Sequence, residues 1–298
     1  MIAAGGRRGL ALGVIVTLAV GCRGRRTPTP VAARDAGDAG AVAVADGAVG
    51  EAVDVDRAPG TDGAVALAEV EPGYRVIDTA GAAAVTVTVR WPAAPPGLRG
   101  APGRTPCGGP RPPRVRLATL HGVADAVVVL EVGAGKPPPP AGPVRLTVRD
   151  CLVAPAVALA PGLGGAIEIQ SADERAATVV ATDLGPAWSA AAAPAPAPPP
   201  RARAHLPVLG HTVALAAAPG ALRVAIDGQP TDGAIAIAPP HPYVAITDDA
   251  GAARFAAVPP GTYPVAVWLP ARAGDGDRRA TGQVVVAADD VSLEVELE

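Results

Sequence analysis

The stretch HPYVAITDDAGAARFAAVPPGTYPVAVWLP, residues 241–270, decides the fold class of this chain. It reads as a strand, a turn at Asp248-Asp249-Ala250-Gly251, a short strand carrying Phe255, a second turn at Pro259-Pro260-Gly261, and a strand through Tyr263, Val265 and Val267. Gly251 and Gly261 are expected at positive φ, which glycine adopts without a Cβ penalty. Phe255 and Tyr263 are the expected core anchors, because only 2% of the chain is aromatic.

The same grammar extends in both directions. AAAVTVTVRW, PRVRLATL, DAVVVLEV and VRLTVRDC follow one another upstream, each strand-length, Val-rich and separated by Gly/Pro clusters. GAIEIQSAD, RAATVVATDL, GHTVALAA, ALRVAID and GAIAIA continue the pattern. The end alternates cleanly, placing Val291, Leu293, Val295 and Leu297 on one face of a half-solvated strand. No segment carries a helical period. The expectation is an all-β Greek-key sandwich over 72–298 with a proline-rich loop at 186–203 and a closing segment at 241–298.

The N-terminal part reads differently. Two arginines precede the apolar run LALGVIVTLAV, which has the length of a signal-peptide core and is too short to span a bilayer as a helix. It leads to Leu18-Ala19-Val20-Gly21-Cys22, which resembles a bacterial lipobox with its leucine one place farther from the cysteine than usual. Residues 1–21 are accordingly expected to be a lipoprotein signal peptide, with Cys22 acylated as the new N-terminus. Two or three acyl chains would hold the protein on a membrane. Arg23 follows the cysteine, and without an Asp there the outer membrane is favoured. Residues 22–71 hold no aromatic ring, only short apolar side chains and scattered Asp, and are expected to form a disordered tether.

Charge excludes one partner class. The formal net charge is −3 and Lys136 is the single lysine, so no basic footprint for nucleic acid is present. The mature chain keeps two further cysteines, Cys107 and Cys151. They either pair or stand as separate buried thiols, and export favours a disulfide.

Residues 241–270 resemble the carboxypeptidase regulatory-like domain, a small transthyretin-like β-sandwich, through Thr247-Asp248, Gly251, Phe255, Pro259-Pro260-Gly261 and Tyr263. One residue too many separates Gly251 from Phe255. In that family these residues build the fold. TPCGG (105–109), LHGVADAVVVLE (120–131) and DCLVAPAVALAPGLGGAIEIQSAD (150–173) then precede HPYVAIT in the order found in exported plastocyanin-like proteins with a cupredoxin-type sandwich. The resemblance covers about residues 73–298 without the proline-rich loop.

That resemblance implies a copper site whose ligands are gone. The loop that holds Cys, His and Met in copper-binding members corresponds to Ile226-Asp227-Gly228-Gln229-Pro230-Thr231-Asp232. Ile226 stands at the thiolate position, Gln229 at the imidazole and Asp232 at the thioether. The other imidazole belongs to a segment corresponding to 171–178, where Ala177 takes its place. A blue-copper centre needs a thiolate and two imidazoles, usually with a weak axial thioether. The mature chain has no methionine once Met1 leaves with the signal. No cofactor and no metal are therefore expected.

Other chemistry is thin. His121, His205, His211 and His241 are the four histidines; Pro207 and Gly210 interrupt any strand through His205 and His211. Asp248-Asp249 and Asp289-Asp290 are adjacent turn formers, and no nucleophile sits beside a base. The run 161–165 is a glycine loop outside any strand–helix unit. The leading expectation is a non-enzymatic, lipid-anchored module of the bacterial cell envelope with a protein or polysaccharide ligand. Two alternatives are a metal or electron carrier with a rearranged site through His205 and His211, and a carbohydrate-binding module that stacks sugars on Trp91, Trp188 or Trp268.

Overall fold

The computed structural model describes residues 73–99, 103–113, 115–163, 165–188, 200–217, 220–270 and 276–298. The expected signal peptide, the tether and Cys22 lie outside the described residues. The chain is all-β, and among the described residues the only helical element is a 3-10 turn at Pro96–Arg99.

Strands β1 (Arg75–Val76), β2 (Ala83–Arg90), β3 (Val127–Leu130) and β4 (Ala134–Gly135) come first. They are followed by β5 (Val144–Arg149), β6 (Leu152–Ala154), β7 (Val157–Leu159), β8 (Gly165–Ser171) and β9 (Ala177–Gly185). Next come β10 (Pro200–Leu206), β11 (Thr212–Ala217), β12 (Gly220–Ile226) and β13 (Gln229–Ala238). The chain closes with β14 (Val244–Ile246), β15 (Ala252–Val258), β16 (Gly261–Leu269), β17 (Arg278–Val286) and β18 (Val291–Glu296).

These strands build two sandwiches where the sequence suggested one. The first pairs the sheet β15-β2-β18 with β14-β3-β16-β17, and its ends enclose the second in the chain. The second pairs β10-β9-β12-β13-β7 with β11-β8-β5-β6. The segment 241–298 does not close the whole body as expected. It supplies five strands of the first sandwich, whose other two are β2 and β3. The difference arises because β18 pairs with β2 in parallel, Val291 beside Val85, across a separation no local pattern reveals.

Packing explains the strand patterns. In β2, Val85, Val87 and Val89 are fully buried while the threonines between them are half-exposed. Each such valine contributes about 1.5–3 kcal/mol by leaving water. In contrast β3 is buried on both sides: Val128 and Leu130 enter the first core, Val127 and Val129 a second one. That second cluster adds Ala266 and Trp268 of β16, Ile235 and Ile237 of β13 and Ala221 of β12. Ala234 and Ala236 of β13, together with Leu222 and Val224 of β12, face the core of the inserted sandwich. The four sheets are thus stacked, and the two inner ones are covered on both faces, which is why their strands read as unbroken apolar runs.

The quoted stretch forms as expected at its first turn. Asp248 Oδ1 accepts from the N–H groups of Ala250 and Ala252, both at 2.9 Å, and Gly251 has φ +86°. The second turn differs: Gly261 is not at positive φ, and a Cβ there would lie 2.7 Å from the Tyr263 hydroxyl, so a larger residue would make the tyrosine ring shift. Phe255 is buried, but Tyr263 is half-exposed, its hydroxyl donating to Pro259 O at 3.0 Å. The buried tyrosines are Tyr243 and Tyr74. Both ends of the stretch expected as a loop, 186–203, are structured. Ala187 and Trp188 are buried in the cluster between the sandwiches, and Pro200–Leu206 is an edge strand, where proline leaves no ladder bond unmade on its open side.

Candidate functional site

Cys107 and Cys151 form a disulfide with a Cα–Cα distance of 5.5 Å. It ties the segment between β2 and β3 to the hairpin β5–β6. That hairpin turns on two residues, Asp150 at φ +53° and Cys151 at φ +59°. A type I′ turn needs positive φ at both central positions and favours glycine there. Here Asp173 compensates, its carboxylate accepting from the Asp150 N–H at 2.5 Å and the Cys151 N–H at 2.9 Å. Gly109 must be glycine for the approach, since a Cβ there would fall 2.4 Å from Asp150 Cβ.

The disulfide forms one wall of an open cleft of about 610 Å³ at one end of the second sandwich. Asp173, Arg175 and Ala176 line it from the β8–β9 connection, and Ala177 and Thr178 from the start of β9. Ile226, Asp227, Gly228 and Gln229 complete it across the β12–β13 turn. Gly228 has φ +80°, and the Asp227 N–H donates to Thr178 O at 2.8 Å, fastening the turn to β9. Three of the four positions singled out in the sequence, Ala177, Ile226 and Gln229, therefore share one cavity. The backbone of Asp232 lies in β13, beyond the turn.

The chemistry of the cleft is that of an aliphatic plug with a polar rim. Ile226 is buried in the core of the second sandwich, and Ala177 packs against that core. The rim carries Asp227, which accepts from Arg203 Nη1 at 2.6 Å, and the exposed Arg175. Among the described residues Gln229 Oε1 is buried with no hydrogen-bond partner. An acceptor left that way costs about 1–3 kcal/mol, and a donor supplied by a ligand would recover part of it.

The histidines do not converge on this cleft. His205 is exposed on β10, opposite Thr178, whereas His211 precedes β11 in the other sheet and is held through its carbonyl by Ser171 N–H at 2.8 Å. Among the described residues no three His, Cys, Asp or Glu side chains are grouped as a metal site would require. The tryptophans considered as sugar platforms are all buried, Trp91 at 3% exposure, Trp188 at 6% and Trp268 at 0%. His121, a loop residue as expected, has φ +63°.

Residue-by-residue reading missed Asp173 and the Asp150–Cys151 turn. Their signal was present: two residues between VRLTVR and LVA leave room only for a tight hairpin. No family model, curated protein or solved structure matches the chain.

Proposed function

We propose that the chain is a non-enzymatic lipoprotein of the bacterial cell envelope, anchored through Cys22, in which the second sandwich is a cupredoxin-like module without its metal. The regulatory-like segment contributes most of the first sandwich. The observation that supports this reading is the meeting of Ala177 with Ile226 and Gln229 in one cleft. These residues were assigned to ligand positions from two distant stretches of sequence, and a chance correspondence has no reason to bring them together. A thiolate position filled by isoleucine and an imidazole position filled by alanine turn a coordination site into apolar packing. What remains is a polar-rimmed hollow suited to holding a protein or saccharide ligand by hydrogen bonds. The burial of all three tryptophans disfavours the sugar-stacking form of that reading.

The test restores the ligand set. The variant Ala177→His, Ile226→Cys, Gln229→His, Asp232→Met is expressed with copper, and the cells are fractionated. It is expected to bind one copper with a visible thiolate-to-copper absorption, in a membrane fraction from which Cys22→Ser releases it. A folded variant without copper would overturn the cupredoxin-like assignment; a soluble wild-type chain would overturn the anchor.

A further inference from the structure

Two proline-rich links carry the chain between the sandwiches, residues 136–143 and 239–243. Between them lies a cavity of about 210 Å³, remote from the cleft in lining and chemistry. Its walls include Pro139, Pro161, Pro239, Pro242 and Leu163, and its one polar side chain is the His241 imidazole. The walls are already in contact around it. A Cβ on Gly162 would come within 2.5 Å of Pro139 O, and one on Gly142 within 2.9 Å of the Pro161 ring. Little rearrangement is left to oppose binding.

His241 is held in one orientation. Its Nδ1 accepts from the Tyr243 N–H at 3.3 Å, and its ring stacks on Tyr74 with centroids 6.1 Å apart. With Nδ1 accepting, the neutral ring carries its proton on Nε2. That N–H is the ring's remaining donor. Burial lowers the imidazole pKa to about 4, which keeps the ring neutral at physiological pH.

We propose that this cavity binds a small uncharged aromatic molecule with one hydrogen-bond acceptor, which meets the His241 Nε2–H. Size sets the first limit: an apolar cavity of about 150 Å³ takes a benzene ring, so this one takes a ring with a short substituent. Shape sets the second, because flat proline and imidazole faces make their contacts best with a planar ring. Charge sets the third. No ionised side chain lines the cavity, so a charged ligand would lose its hydration without compensation.

The experiment uses the full chain with acetophenone as probe and toluene as the ring without an acceptor, read by calorimetry and by saturation-transfer NMR. Acetophenone is expected to saturate with a Kd below about 1 mM, and toluene to bind about five- to tenfold more weakly. Leu163→Trp, at a half-exposed wall position, should abolish both. His241→Phe should erase the preference while retaining toluene. Absence of saturable acetophenone binding would overturn the proposal, as would equal affinities in the wild-type chain, a result that depends on no variant. Unchanged binding in Leu163→Trp would place the ligand elsewhere and overturn it equally.

Discussion

His241 enters the fold as a neutral ring, and its environment makes stability depend on pH. Burial lowers its pKa from 6.5 to about 4. Above pH 6.5 neither the folded nor the unfolded chain protonates it, and the contribution is constant. Between 6.5 and 4 only the unfolded chain takes up the proton, so the native state loses up to about 3 kcal/mol as pH falls. Denaturant titrations of wild type and His241→Phe at pH 7 and pH 4.5 check this. The wild type is expected to lose about 2 kcal/mol more than the variant over that interval; equal losses would show that the ring titrates as it does in water. The other residue-scale lesson concerns glycine. Gly251 was readable because an Asx turn demands positive φ, whereas Gly261 lies against the Tyr263 hydroxyl, a contact no local rule anticipates.

The strands divide by layer. Alternation in β2 and β18 marks sheets with one solvated face, and both were legible as such. Unbroken runs in β3 and the end of β16 mark sheets covered on both sides, so VVVL and VAVWL encode the stacking of two sandwiches. That signal was present in the sequence but is shared with any buried strand, and pairing partners were needed to interpret it. The disulfide acts at this scale by fastening the β5–β6 turn to the segment that precedes β3. It closes a separation of 44 residues, for which loop entropy gives about 4 kcal/mol. The double variant Cys107→Ser, Cys151→Ser is expected to lower the unfolding free energy by that order, seen as a lower denaturation midpoint, and Asp173 to keep the turn in place. A midpoint equal to wild type would show that the crosslink constrains neither the folded nor the unfolded chain.

At the scale of the molecule, composition and turn spacing were enough for an all-β chain. They were not enough for its arrangement as two sandwiches, because the first sandwich is completed only by strands from the far end of the sequence. The cleft was legible in part. Ala177, Ile226 and Gln229 were placed by resemblance and share a cavity, while the turn of Asp150 and Cys151 and its anchor Asp173 emerged from the backbone geometry. The central claim is that this cleft occupies the place of a copper site and holds no metal. Metal content by mass spectrometry, on the wild-type chain purified after expression with copper and zinc, tests it most directly. The account predicts far less than one equivalent of either metal; stoichiometric copper would mean that the remaining histidines and carboxylates build a site, and would contradict it.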